Sequence, residues 1–583
     1  MRKYIFFGIL LLGITSCDFS KYQLKEDYDF TTHFEASKGK ETATYPEVIK
    51  FYEDLAEKFP SIQLKTFDTT DSGEPLHLAI YNPDAQFNID KIKETKSILL
   101  VLNGIHPGES DGIDATMMLF RDLAKDSIKT PKNVVLATIP VYNIGGALNR
   151  NSFSRTNQNG PKAYGFRGNA RNYDLNRDFI KADTKNAKAF YEIFHYLDPD
   201  VFIDNHVSNG ADYQYTLTHL FTQHNKLGGD IGKYLDKTMM PALEDSLAAK
   251  KLAITPYVNV FNDVPEKGFS QFMDYPRYST GYTTLWNTLG MMVETHMLKP
   301  YKKRVLGTYQ LMESMLNFTN NQTDTIRKLR KAENKKYLTK RWYPTQFKVD
   351  KNNPSIRDFK GYEGKTIASE VTGGERLKYD RKKPFTKEIE YYNNFVVEDK
   401  IEIPRAYIIP QGWWPVIDLL KMNQIKMKPF ENDTTLYVQH YRIKDYKTTK
   451  DAYEGHYKHS KTKVVAKMDS IQFRKGDFYI STFQRGTRYL LETLEPTTED
   501  SFFNWNFFDT VLQQKEHFSP YVFEDVAKKI LANNKDLKEK FENKKKSDSE
   551  FAKNWYSQLD WLHKHSKYYE KAHLEYPIAR VLR

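Results

Sequence analysis

The sequence contains one cysteine, Cys17, among its 583 residues. An intramolecular disulfide is therefore impossible, and a chain of this length can bury a core large enough to fold without one. No segment after the first residues is apolar and long enough to cross a membrane. There is also no basic arm, nucleic-acid-binding motif or internal repeat. The formal charge of +12 arises from interleaved basic and acidic residues. We therefore expect no nucleic-acid partner, and attribute the charge to solubility or attraction to anionic envelope polymers.

The N-terminus has the pattern of a bacterial lipoprotein signal. Arg2 and Lys3 precede an apolar run, residues 4–14, that is too short to span a bilayer. The sequence Ile-Thr-Ser-Cys at 14–17 resembles a lipobox, which implies cleavage before Cys17 and a lipid on its thiol. An ordinary secretory signal with an incidental cysteine is the alternative. We expect a membrane-anchored lipoprotein of the bacterial envelope, on the periplasmic or outer-membrane side, with residues 18–44 as a polar tether.

Residues 45–320 alternate between apolar strand patterns and amphipathic helix patterns. This alternation predicts an α/β domain in which helices cover both faces of a mostly parallel or mixed sheet. Residues 321–583 differ in character, being β-rich up to about residue 494 and then helical. We predict an accessory region there, packed on the first domain, with strands at 395–403, 406–409, 436–443, 464–473 and 478–483.

Two strand ends of the first domain carry histidines. The apolar run 98–102 leads through Asn-Gly to His106 and Glu109, and the run 201–203 leads to His206. Parallel strands place their carboxyl ends at one edge of a sheet, where α/β folds position their chemistry. Two imidazoles and one carboxylate are the three protein ligands of a catalytic zinc site, and they leave one position open for water. Glu294, at the end of a later strand, is a candidate general base.

The segment 149–178 is rich in Asn, Arg and Gly and has no hydrophobic period, so we expect a functional loop. Four of its arginines are candidates to stabilise an anionic intermediate: Arg155, Arg167, Arg171 and Arg177. Outside these motifs, His456 and His459 lie three residues apart. A second metal site is possible there, but core or solvated histidines are the favoured interpretation.

Residues 45–301 resemble the zinc metallocarboxypeptidase family typified by carboxypeptidase A. The resemblance rests on four features in family order: His106-Pro107-Gly108-Glu109, Asp174-Leu175-Asn176-Arg177, His206 and Glu294. It implies an α/β/α sandwich around a mixed central sheet. It also implies one Zn²⁺ per chain, held by His106, Glu109 and His206.

The resemblance further assigns roles to residues around the metal. Glu294 would take a proton from water and pass it to the leaving amine. Asn176 and Arg177 would bind the terminal carboxylate of the substrate, which suits a bidentate guanidinium. Arg155, chosen ahead of Arg150 and Arg171, would steady the scissile carbonyl. The mobile tyrosine of the family would be Tyr278 or Tyr282, although their spacing to Glu294 departs from the family pattern.

The function implied is a zinc-dependent metallocarboxypeptidase of the bacterial cell envelope. It would hydrolyse C-terminal peptide bonds of peptides, or of peptidoglycan stem peptides, that carry a free C-terminal carboxylate. One alternative is a zinc deacylase of N-acyl amino acids, of the aspartoacylase type. Another is a non-catalytic zinc-containing lipoprotein that binds peptide or glycan. The sequence indicates neither the preferred terminal residue nor the oligomeric state.

Overall fold

The structure is a computed structural model that describes residues 29–582. We call residues 29–336 the first part of the chain and the described residues after them the second part. The strands of the first part are β1 (Ile62–Thr69), β2 (Pro75–Tyr81), β3 (Ser97–Leu102), β4 (Val134–Ile139), β5 (Val201–Ser208), β6 (Leu217–Phe221), β7 (Ile254–Pro256), β8 (Phe269–Ser270) and β9 (Leu289–His296). All except β8 form one mixed sheet in the order β1-β2-β4-β3-β5-β9-β6-β7. The neighbouring strands β4, β3, β5 and β9 run parallel.

The helices of this part are α1 (His33–Ala36), α2 (Tyr45–Lys58), α3 (Ile89–Thr95), α4 (Asp111–Ala124), α5 (Ile144–Leu148), α6 (Lys185–Leu197), α7 (His224–Leu227), α8 (Gly229–Tyr234), α9 (Met240–Ala249), α10 (Ser279–Thr284) and α11 (Tyr301–Lys336). Short 3-10 turns occur at Leu175–Arg177 and Pro265–Lys267, and a π-helical turn at Leu235–Met239.

Adjacent residues of β5 show that helices cover both faces of the sheet. Asp204 accepts a hydrogen bond from Ser279 of α10 at 2.6 Å. The next side chain, Asn205, points to the other face and contacts the sulfur of Met312 in α11 at 3.6 Å. The predicted α/β/α sandwich with a mixed central sheet is therefore confirmed.

The central strands are buried along their whole length. Every residue of β3, β4 and β5 is buried, as expected for strands covered on both faces. These strands are short apolar runs in the sequence, which is why they could be predicted. Their parallel arrangement brings the chain segments that follow β3 and β5 to the same edge of the sheet.

The second part is β-rich and then helical, as predicted. Its strands are β10 (Trp342–Val349), β11 (Ser355–Ala368), β12 (Glu375–Tyr392), β13 (Phe395–Glu402), β14 (Ala406–Ile409), β15 (Lys428–Pro429), β16 (Thr434–Thr448), β17 (His459–Phe473), β18 (Phe478–Ser481) and β19 (Ala579–Val581). Its helices are α12 (Trp414–Met422), α13 (Thr487–Leu494), α14 (Pro520–Asn533), α15 (Lys535–Ser547), α16 (Ser549–Lys553) and α17 (Trp555–Lys564), with a 3-10 turn at Asp509–Leu512. Six strands form one sheet in the order β15-β18-β14-β19-β16-β17.

The two parts are packed against each other. The helix α11 runs without a break through residue 320, where the sequence predicts the domain boundary. The strand β12 pairs with β8 of the first part. One continuous hydrophobic core contains side chains from both parts, among them Leu289, Tyr407 and Tyr489. The second part is thus built onto the first.

The predicted tether lies only partly within the described residues. The signal segment and Cys17 lie outside them. From Asp29 onward the prediction of a tether is wrong, because Phe30 and Phe34 are 2% and 3% exposed in the main core. Within residues 29–582, no helix is both long enough and apolar enough to cross a membrane.

Candidate active site

Three predicted ligand residues meet at the edge of the central sheet. His106 lies on the loop after β3, Glu109 precedes α4, and His206 is in β5. The Nδ1 atoms of His106 and His206 lie 3.3 and 3.1 Å from the two carboxylate oxygens of Glu109. One donor atom from each residue lies within 4.8 Å of the others, and all three side chains are buried. This arrangement can hold one metal ion.

Both histidines are oriented toward the cluster by carboxylates on their far side. The Nε2 atom of His106 lies 2.9 Å from Asp174 Oδ1, and that of His206 lies 2.9 Å from Asp204 Oδ2. The Nδ1 atom of His106 is buried without a hydrogen-bond partner. A histidine held by a carboxylate through one nitrogen presents the other nitrogen to a metal. The donor set therefore fits a divalent metal ion.

The Glu109 carboxylate is held in its ionised form. Burial opposes ionisation, but Arg155 and His106 together hold the pKa of Glu109 well below its usual range. The carboxylate also accepts a hydrogen bond from the backbone N–H of Val207 at 2.9 Å. The close approach of Arg155 requires glycine at position 108, since a Cβ there would lie 2.3 Å from the Arg155 Nε atom.

Glu294 lies beside the cluster because its strand pairs with that of His206. The two residues are direct partners in the parallel register of β5 and β9, so their side chains share one face of the sheet. Burial raises the pKa of Glu294 to about 7, although His206 opposes the shift. A carboxylate with a pKa near neutrality is suited to exchange protons with a substrate.

Two arginines of the 149–178 segment face the cluster. Arg155 Nη1 donates to Glu109 at 2.8 Å. Arg167, which was one of four candidates in the sequence, lies 3.8 Å from Glu109 and binds Asp174 at 2.9 Å. Arg150 instead donates to the backbone carbonyls of residues 42 and 43, and Arg171 to that of residue 183. The structure therefore brings Arg155 and Arg167 to the site.

Asn176 and Arg177 lie on the 3-10 turn that follows Asp174. The Asn176 Oδ1 atom is buried without a hydrogen-bond partner. The Arg177 guanidinium lies 4.7 Å from the centre of the Tyr278 ring. Tyr282, the other candidate tyrosine, is fully buried, and its hydroxyl donates to Asn423 at 2.6 Å. Of the two tyrosines, the structure brings only Tyr278 to the site.

These residues line a cavity of about 600 Å³. The cavity surface includes His106, Glu109, Arg155, Arg167, Asn176, Arg177, His206, Tyr278 and Glu294. Apolar side chains complete it, among them Leu220, Phe272 and Met292. Leu220 in β6 and Met292 in β9 are register partners, and Met292 precedes Glu294 by two residues. Both side chains contribute apolar surface to the cavity.

Asp204 and Tyr257 also belong to the site, although neither is among the residues predicted from the sequence. Asp204 precedes His206 by two residues on one strand, so the D-x-H spacing predicts that both side chains share a face. That signal was available in the sequence. Tyr257 lines the cavity from the end of β7, and no motif marks it.

Two further sequence patterns do not form sites of their own. Residues 108–112, Gly-Glu-Ser-Asp-Gly, match the G-x-S-x-G pattern of serine hydrolases, but Ser110 is buried and donates to the Pro107 carbonyl at 3.1 Å. His456 and His459 each contact a different carboxylate, Asp183 at 2.7 Å and Asp509 at 3.0 Å.

No family model matches the chain. Carboxypeptidase 2 of Trichophyton tonsurans is 21% identical over 448 residues, which cover 73% of this chain and 76% of that protein. Carboxypeptidase 2 of Trichophyton rubrum is 20% identical with the same coverage. These relatives confirm the predicted resemblance to carboxypeptidases.

Solved structures of metallocarboxypeptidases align with about half of the chain. A metallo-carboxypeptidase from Burkholderia cenocepacia aligns with 48% of this chain and 70% of its own, at 16% identity and a TM-score of 0.36. Carboxypeptidase A from Helicoverpa armigera covers 48% of this chain and 74% of its own, at 11% identity and a TM-score of 0.36.

The sequence similarity is longer than predicted. The sequence motifs predict a resemblance to metallocarboxypeptidases in residues 45–301 alone. Residues 1–320 are little more than half of the chain, whereas the Trichophyton proteins match 73% of it. The similarity must therefore extend into the second part.

Proposed function

We propose that this chain, whose curated relatives are carboxypeptidases, is a zinc-dependent metallocarboxypeptidase that releases C-terminal residues from peptides. The observation that carries the proposal is the convergence of His106, Glu109 and His206 in one cavity with Glu294. A purely structural metal site is closed by four protein ligands, whereas three ligands facing a cavity leave room for a reactant.

Zinc bound by His106, Glu109 and His206 would act as a Lewis acid and ease the deprotonation of water. Glu294 is placed to accept a proton from the attacking water and to return it to the leaving amine nitrogen. The Arg155 guanidinium would stabilise the negative charge that develops on the carbonyl oxygen.

The terminal carboxylate of the substrate would bind at Asn176 and Arg177. The guanidinium of Arg177 can donate two parallel hydrogen bonds to a carboxylate, and the buried amide of Asn176 lies beside it. A bound carboxylate there would orient the last peptide bond toward Glu294. This requirement for a free carboxylate separates exopeptidase from endopeptidase activity.

The proposed setting is the bacterial envelope. It rests on the signal-like N-terminus and the lipobox-like cysteine, Cys17, which implies a lipid anchor in the membrane. Peptides in that compartment include peptidoglycan stem peptides, which carry free C-terminal carboxylates. We therefore propose peptides and stem peptides as the substrate class.

Zinc content and turnover should be measured on protein that begins after Cys17, for wild type and Glu294→Gln. We expect one zinc per chain in both. Wild type should release C-terminal residues from a peptide pool or from muropeptides, read by mass. The variant should lose on the order of 10²- to 10⁴-fold in kcat, the usual contribution of a general base. Glu375→Gln, in the exposed hairpin of β11 and β12, is the matched control.

Other outcomes point elsewhere. If neither protein holds zinc, the ligand assignment is wrong. If both hold zinc and neither cleaves any peptide, the non-catalytic binding protein is favoured. Hydrolysis of N-acyl amino acids without peptide cleavage would favour the deacylase.

A further inference from the structure

A hairpin turn of the second part contacts the chain segment that supports the candidate active site. Strands β16 and β17 are joined by a loop whose tip is Tyr453-Glu454-Gly455-His456. The backbones of Tyr453 and His456 pair across the turn at 2.7 and 3.1 Å. Glu454 and Gly455 both have positive φ angles, 49° and 79°. Two central residues of this kind define the tight hairpin turn that fixes the direction of its side chains.

The turn packs on the segment that carries Asn176 and Arg177. Glu454 Oε2 accepts a hydrogen bond from the backbone N–H of Asp174 at 2.8 Å. A Cβ on Gly455 would lie 2.7 Å from the Tyr173 hydroxyl, so the close approach needs glycine there. His456 Nε2 lies 2.7 Å from Asp183. The tip therefore fits this segment at three successive residues.

Asp174 connects that contact to the reacting groups. Its Oδ1 atom accepts from the backbone N–H of Asn176 at 2.9 Å and lies 2.9 Å from His106 Nε2. Its Oδ2 atom binds Arg167 at 2.9 Å. The position of Asp174 thus determines the orientation of one proposed metal ligand and of the turn that holds Asn176 and Arg177.

The second part also supports the part of the cavity lined by Tyr278. Asp500 accepts from the backbone N–H of Arg277 at 2.9 Å, and Glu499 pairs with the Arg277 guanidinium at 2.7 Å. The next residue is Tyr278, on which Arg177 stacks. Trp505 is fully buried, and Arg277 lies 5.5 Å from its ring centre.

We infer that Glu454 is a positioning residue of the candidate active site. It acts through Asp174, and the second part of the chain thereby sets the geometry of the subsite for the terminal carboxylate. This inference rests on the proposed carboxypeptidase function. Without the Glu454 carboxylate, the Asp174 N–H loses its acceptor and the 174–177 turn loses its anchor to the second part.

The test compares Glu454→Asn with Glu454→Gln. Asparagine tolerates the left-handed backbone of the turn but is too short to reach Asp174, whereas glutamine keeps an acceptor oxygen at the same reach. Asp451→Asn, at an exposed position of the same loop, is the matched control. Thermal unfolding of each protein establishes that the fold is kept.

We expect Glu454→Asn to raise KM for release of a C-terminal residue by on the order of tenfold, the effect of one hydrogen bond to a charged group. The kcat value should change less, because Glu294 and the metal ligands remain. Backbone amide exchange in a peptide spanning 173–178 should accelerate. Glutamine should restore both values to within about twofold, and Asp451→Asn should change neither.

The inference is overturned if wild type is active and Glu454→Asn has the same KM and the same rate of amide exchange as wild type. A wild type that cleaves no peptide would instead refute the proposed function. Zinc affinity, measured by competition with a chelator, then decides the inference separately. A loss of affinity in Glu454→Asn that glutamine restores would support it, because Asp174 orients His106, and equal affinities would refute it.

Discussion

Replacing Asp114 by asparagine should stabilise the protein at neutral pH. Asp114 lies in α4 and is fully buried, and it accepts a hydrogen bond from the hydroxyl of Tyr301 at the start of α11. Burial raises its pKa from 3.8 to about 7, and nearby Asp111 adds to the increase. Asparagine has the same shape, keeps an acceptor oxygen and cannot ionise.

The size and sign of the effect follow from the two pKa values. A difference of about three units corresponds to roughly 4 kcal/mol, at 1.36 kcal/mol per unit. Below pH 4, Asp114 is protonated in both the folded and the unfolded chain, so ionisation costs nothing. Between pH 4 and 7 the unfolded chain releases the proton first, and the free energy of unfolding falls as the pH rises. Above pH 7 the full cost is present.

The measurement is urea unfolding of wild type and Asp114→Asn from pH 5 to pH 8, with EDTA present so that metal binding does not contribute. The difference in unfolding free energy should shift in favour of the variant by about 3 kcal/mol over this range. Any constant packing cost of the amide cancels from that shift. Asp245→Asn, at an exposed position of α9, is the control. Its difference in unfolding free energy from wild type should not change with pH. Parallel pH profiles for wild type and Asp114→Asn would refute the reasoning.

Two predictions concern the active site directly. Asp174→Asn removes the charge that orients His106, so we expect zinc affinity to fall by roughly 10- to 100-fold. Competition with a chelator measures this affinity. An unchanged affinity would show that Asp174 does not support His106 as a ligand. The cavity should prefer apolar over basic terminal residues, because Glu109 and Glu294 are the only acidic side chains among its described lining residues. Competition between peptides ending in Leu and in Lys measures this preference, and faster release of Lys would contradict it.

Several buried strands of both parts were predictable from local pattern. The run at 201–203 is apolar, short and followed by a polar break, and it begins β5. The strand predicted at 406–409 has the bounds of β14. Such segments are buried on both faces, so their composition alone marks them as strands.

Other elements carried no such pattern. The hairpin of β11 and β12 was not predicted, because most of its residues are exposed and many are Lys, Arg or Glu. Residues 29–44 are polar on average, and that average concealed Phe30 and Phe34, which pack into the core. Phe30, for example, packs against Phe51 and Phe59, and the polar sequence around it does not indicate these contacts.

The sequence by itself determined which residues could form a metal site and in what order they occur. In the sequence, His106, Glu109, His206 and Glu294 each come shortly after an apolar run, and parallel strands bring the ends of such runs to one edge of a sheet. Only the tertiary structure decided which arginines and which tyrosine join them. Arg155 and Arg171 lie in the same polar loop, and Tyr278 and Tyr282 lie four residues apart, so local pattern could not separate them. The contact of Glu454 with Asp174 spans 280 residues, and a contact of that range depends on how the two parts pack.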